Sequence, residues 1–253
     1  MSKYLMTRIK TLVVIAAVLV GGPASAGKIV VSNVEWMFSN TGFANTPDSA
    51  TFATNIASFF APGGSGDFHA YSTNFSLTQS SLTNTLIGAG HAYSTGLGIT
   101  FDLPTLSMFD GIFLASNLLS ASQTGVLIDY VNVGGNVLLL GGTSSVVAPV
   151  ADAWNTFLNT FGIAFDPSIN GVVGNIDVAS GTHPIFNGVS TLYHVNGYPV
   201  TGAGLQVPTV AGQALFAVLD TTVAGVPEPS SLALVGIGFL VLGMWRRILA
   251  SMS

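Results

Sequence analysis

A chain of 253 residues that is 49% hydrophobic and only 7% charged has few ionic side chains with which to cover a soluble domain, where about a quarter of residues are normally charged. Ser, Thr, Asn and Gly must supply most of the surface. No Lys or Arg occurs from Ile29 to Trp245, so a product trimmed to residues 27–229 would carry 11 acidic residues against Lys28 alone, a formal charge of −10; nucleic-acid binding is thereby excluded. The absence of cysteine removes disulfides, thiolate metal sites and a Cys nucleophile together.

Residues 1–26 open with the basic residues Lys3, Arg8 and Lys10, continue as an apolar run over residues 12–20, and end in Ala24-Ser25-Ala26 before Gly27. This is the pattern of a cleavable secretory signal, with Ala24 and Ala26 as the small residues flanking the cut. Signal peptidase and a secretion channel are the partners it implies.

The body, residues 27–225, is of a size for one α/β domain with a proper core. Residues 28–34 (KIVVSNV) read as a buried strand. Thr46-Pro47 reads as a helix cap followed by proline at the first helical position, opening a helix to about Phe60. Residues 67–73 form a candidate second strand, and residues 76–86 a helix with Leu77, Leu82 and Leu86 on one side. Residues 110–116 are a strand, residues 121–132 a helix stopped by Gly134-Gly135, and residues 136–140 (NVLLL) the most buried strand. A helix over residues 150–161 carries Trp154, Phe157, Leu158 and Phe161. Beyond residue 163 strands and loops prevail, with residues 214–219 the last strand. Strands that are apolar throughout and separated by helices predict a mainly parallel sheet covered on both faces.

The strand at 110–116, the following helix, Gly-Gly-Asn-Val-Leu-Leu-Leu-Gly-Gly at 134–142 and His183-Pro184-Ile185-Phe186-Asn187-Gly188-Val189 together resemble the class I glutamine amidotransferase-like superfamily. The resemblance implies a flavodoxin-like fold. Active members place a Cys on a strand-to-helix elbow, and this chain has none to place there. Residues 140–145 (LGGTSS) occupy a corresponding turn, but no G-x-S-x-G accompanies them, so Ser144 reads as a cap or turn residue.

Chemistry is sparse elsewhere. His69, His91, His183 and His194 show no metal-ligand spacing, no glycine-rich phosphate loop occurs, and no calcium loop of alternating carboxylates is present, so neither metal nor cofactor is expected. Glu35 and Trp36 follow the first strand, where open α/β sheets hold ligands. With the loop residue His183, they make the candidate ligand site.

At the C-terminus, Pro227-Glu228-Pro229 precedes an apolar stretch over residues 232–245, a candidate membrane helix, and Arg246-Arg247 follows at once. The stretch is short for a span of about 20 residues, but the arginines can snorkel, and their position places the body outside. These three elements over residues 226–253 resemble the PEP-CTERM sorting signal. The resemblance implies processing by an exosortase-type membrane enzyme near Pro227-Glu228-Pro229, in bacteria that make exopolysaccharide or biofilm. The expectation is an exported protein, anchored in the inner membrane as a precursor and then released to the envelope or exterior. Its body is expected to be non-enzymatic; the alternative is a carbohydrate-binding or exopolysaccharide-modifying domain acting through Glu35, Trp36 and His183.

Overall fold

The structure is a computed structural model that describes residues 27–142, 147–208 and 213–220. Its first strand, β1 (Lys28–Ser32), lies inside a parallel set with β2 (Asp67–Ala70), β3 (Ala92–Thr95), β4 (Gly111–Ala115) and β5 (Val137–Leu140), in the spatial order β3-β2-β4-β5-β1. The sheet then turns antiparallel. β11 (Ala214–Asp220) pairs with β1, and its other edge is shared by β9 (Val200–Gly202) and β10 (Leu205–Pro208); β6 (Ile163–Phe165) closes the row beside β9. A separate hairpin pairs β7 (Val173–Asp177) with β8 (Thr191–Val195).

Alternation along the strands explains why both faces are covered. Val30, Phe113 and Leu138 point into one apolar layer, while Val31, Leu114 and Leu139 point into the other. The first layer is capped by α1 (Asn40–Asn45), α2 (Asp48–Phe60), α3 (Phe75–Thr78) and α4 (Ser80–Gly88), through Phe43, Phe52, Ile56, Leu77, Leu82 and Leu86. The second is capped by α5 (Leu103–Leu106), α6 (Ala121–Asn132) and α7 (Val147–Leu158), through Leu106, Leu127, Tyr130, Trp154 and Phe157. Burying each such Leu or Phe contributes about 1.5–3 kcal/mol. The described elements fall within one compact unit, residues 26–222.

The expected mixed α/β architecture with a large, mostly parallel sheet is present, with local differences. The helix expected over residues 76–86 is two helices, because Gln79 is extended (φ −77°, ψ 158°) and its Oε1 accepts the Asn40 N–H at 2.7 Å. Asn40 Oδ1 in turn accepts the Ser81 N–H at 3.0 Å, so a reciprocal tie to α1 outweighs helix continuity. The cap expected at Thr46 shifts by one residue: helix α2 begins at Asp48, with Pro47 at its cap position and the Thr46 carbonyl accepting the Ser49 N–H. The helix expected over 150–161 starts and ends earlier, and Gly162 (φ 72°) stops the single 3-10 turn that follows it.

The strand order also departs from a flavodoxin-like sheet, which runs 2-1-3-4-5. Here β1 stands where that order puts its fifth strand, beside β5, and β2 takes the place of its first strand. The physical reason is β11: it pairs with β1 over five residues, from Lys28↔Asp220 to Ser32↔Phe216, and so holds the first strand at the junction of the parallel and antiparallel halves. Among the described residues no helix is long and apolar enough to cross a membrane. The signal peptide with Ala24 and Ala26, the turn residue Ser144, the expected membrane helix at 232–245 and the sorting residues Pro227, Glu228, Pro229, Arg246 and Arg247 lie outside the described residues.

Candidate functional site

The carboxyl ends of β2 and β4 mark the point where strand order reverses, the usual ligand crevice of an open α/β sheet. In this protein that crevice is tied shut. Ser72 Oγ donates to the Ala115 carbonyl at 2.6 Å, the Thr73 N–H to Asn117 Oδ1 at 2.7 Å, and Asn74 Nδ2 to Ser116 Oγ at 2.7 Å. Space opens instead at the carboxyl ends of β4, β5 and β1, where a cavity of about 300 Å³ lies on the α7 side of the sheet.

Glu35 lines this cavity three residues beyond β1. Gly141 and Gly142 at the end of β5 line it too, as does Ser116 at the end of β4. Val150 and Trp154 of α7, with Tyr198, complete the described lining. Glycine at 141 is required by close approach: a Cβ there would lie 2.4 Å from the Asn33 carbonyl oxygen, and the Gly141 N–H donates to the Ser32 carbonyl at 2.7 Å. Among the described residues a Cβ on Gly142 would meet only Tyr198, at 3.7 Å.

Glu35 is only 4% exposed, and its Oε2 is buried without a hydrogen-bond partner. Burial pushes its carboxyl group up to about 7, against a smaller lowering by its own backbone N–H. Other carboxylates are engaged with backbone groups: Asp48 accepts the Ser190 and Thr191 N–H groups, Asp102 that of Thr105, Asp110 that of Asp67, and Asp177 that of Ala179. Among the acidic residues described, Glu35 alone is buried.

Ser116 has a left-handed backbone (φ 59°), a conformation that costs a residue with a Cβ about 1 kcal/mol or more. Asn74 holds its hydroxyl, and the Asn117 N–H donates to the Ala115 carbonyl at 2.7 Å to close the turn. Sequence reasoning missed Ser116, since a small polar residue ending a strand carries no signal of its backbone conformation. It also missed Trp154 and Tyr198 as cavity walls, because Trp154 reads simply as part of an apolar helix face.

The three residues singled out from sequence are not brought together. Trp36 lies on the opposite face from the cavity, edge-on to Phe75 with ring centroids 4.8 Å apart and to Tyr193 at 6.4 Å. His183 caps the 3-10 turn Pro184–Phe186 and sits edge-on to Phe59 at 4.7 Å. Its ring feels the charges of Lys28 and Asp220, which are paired at the amino end of β1, whereas Glu35 follows the carboxyl end. Only Glu35 belongs to the cavity.

The other histidines serve the fold. His69 bonds Ser94 Oγ at 2.8 Å and the Gly96 carbonyl at 3.0 Å, and His91 accepts the Gly66 N–H at 2.9 Å. His194 is fully buried, edge-on to Phe216, and burial pushes its ring down to about 4. Among the described residues no three His, Cys, Asp or Glu side chains gather as a metal-ligand set.

Comparison with known families places the PEP-CTERM protein-sorting motif on residues 225–247. That motif implies a protein sorted through an exosortase to the cell envelope. No curated protein and no solved structure matches the chain.

Proposed function

We propose that this protein is an exosortase substrate whose α/β body is a non-catalytic component of an exopolysaccharide-rich envelope or biofilm matrix. The observation that carries the reading is the sorting motif at residues 225–247, preceded by a body without a single Lys or Arg from Ile29 onward. Basic charge confined to the two targeting ends suits a precursor held in the inner membrane by its tail and then released. The non-catalytic reading is supported by the cavity itself. Among its described lining residues Glu35 is the sole carboxylate, whereas glycoside hydrolysis ordinarily needs two, about 5–9.5 Å apart.

The test is intact mass and membrane fractionation of the protein from its native host, with and without the processing enzyme. A product that begins at Gly27 and ends near Pro229, lost when the enzyme is deleted, is expected. A membrane-bound product that retains Arg246 and Arg247 in both strains would reduce the tail to a plain anchor.

A second reading, that the body binds a small ligand at the matrix, is favoured by one observation: Glu35 lines the cavity and its Oε2 is buried without a partner. It needs neither Trp36 nor His183.

A further inference from the structure

We propose that the cavity at the carboxyl ends of β1, β4 and β5 binds a primary ammonium group, with the Glu35 carboxylate as its counter-ion. The inference rests on the ligand-binding reading of the cavity and is independent of tail processing.

The need for a counter-ion follows from the sequence. From Ile29 to Trp245 the chain has no Lys or Arg, so no side chain of the body can pair with Glu35 as a permanent cation. Lys28 is at the other end of β1, with its Nζ bonded to the Phe59 carbonyl and over the Phe59 ring at 4.5 Å. Yet Glu35 lines the cavity while its Oε2 is buried with no partner, so an ionised carboxyl group there is costly unless a cation completes it. An ammonium group supplies both the charge and the donors.

The surroundings favour a cation over an anion. Residues 28–220 hold ten acidic groups against Lys28, so the body's field draws cations in and repels phosphates and uronates. Ser116, exposed at the edge, is placed to meet the rest of the molecule. The volume, about 300 Å³, suits one small molecule at the lower end of ligand pockets. The shared chemistry is the ammonium group, carried on a free amine or on an amino-sugar unit of the matrix.

Because the ammonium needs an ionised partner and the Glu35 carboxyl group titrates near about 7, affinity rises as pH passes through that value. Calorimetric titration of the full chain in detergent tests this with n-butylammonium against the neutral n-butanol, and with glucosamine against N-acetylglucosamine. Butylammonium is expected to bind at about pH 8, roughly tenfold more weakly at about pH 6, and n-butanol not measurably. Glu35→Gln is expected to abolish binding. Gly142→Val, which adds bulk at a lining residue while leaving Glu35 in place, is expected to do the same and covers the case in which Glu35→Gln fails to fold. Glucosamine binding more tightly than butylammonium would assign the amino-sugar source, and the reverse the free amine. Equal binding of n-butanol and butylammonium, blocked by Gly142→Val, would keep a ligand site but overturn the ammonium assignment. Binding that survives both variants, measurable binding of N-acetylglucosamine as tight as that of glucosamine, or no binding of any probe would also overturn it.

Discussion

Two buried titratable side chains give opposite pH dependences. Glu35 binds its proton more tightly when folded, about 7 against an ordinary 4.5, so the stability it contributes is full below about pH 4.5 and is lost as pH rises through about 7. His194 is the reverse: pushed from 6.5 to about 4, it contributes stability above about pH 6.5 that is lost as pH falls through about 4. Each change is on the order of 3 kcal/mol, and across the shared window the two slopes cancel. The wild-type urea midpoint is therefore expected to vary little from these two groups between about pH 4.5 and 6.5. Glu35→Gln should uncover the His194 slope and gain stability over wild type as pH rises, by about 3 kcal/mol at about pH 8. No gain there would mean that the buried carboxylate carries no such penalty. Gly197 makes a purely steric prediction: a Cβ there would lie 2.3 Å from both Nδ2 and the carbonyl oxygen of the fully buried Asn33. Gly197→Ala should cost about 1–3 kcal/mol in chemical denaturation.

Between elements, Asn136 is the most connected side chain at the amino ends of the strands. Its Oδ1 accepts the Lys28 N–H of β1 at 3.0 Å, while its Nδ2 donates to the Asp110 carbonyl before β4 at 2.7 Å and to the Phe60 carbonyl at the end of α2 at 3.2 Å. Asn136→Ala leaves these largely buried groups without partners and should lower stability by about 2–3 kcal/mol, with faster amide exchange at Lys28 as the local readout. Helix α6 offers a milder case. Its start is held by a capping box, the Ser120 N–H donating to Gln123 Oε1 at 3.0 Å and the Gln123 N–H to Ser120 Oγ at 3.3 Å. Ser120→Ala should cost about 1 kcal/mol. This helix was legible to the residue, because its cap, its apolar spacing and the Gly134-Gly135 stop all agree. The break at Gln79 was not, since its cause is a hydrogen bond to Asn40, 39 positions away in the chain.

For the whole molecule, the distribution of charge gives a direct assay of sorting. Trypsin has no site between Ile29 and Trp245, so digestion of the denatured protein should release one fragment beginning at Ile29. Its C-terminus reads out tail processing: Arg246 if the tail is intact, a residue near Pro229 if it has been removed. A C-terminus at Arg246 in the secreted fraction would contradict release by cleavage.

Sequence by itself determined the C-terminal sorting motif, the apolar strands and most helices, because each depends on neighbouring residues or on a short linear pattern. It also determined that the body has no Lys or Arg from Ile29 onward. Tertiary structure alone decided that β1 lies between β5 and β11, that hydrogen bonds close the reversal point at β2 and β4, and that the cavity opens beside Glu35. It separated Glu35 from Trp36, one residue away, by sending them to opposite faces of the sheet, and from His183 by placing that ring near the amino end of β1. The reason is that convergence of side chains depends on strand order and register, and these are set by long-range pairing such as Lys28↔Asp220, whose partners are nearly two hundred residues apart.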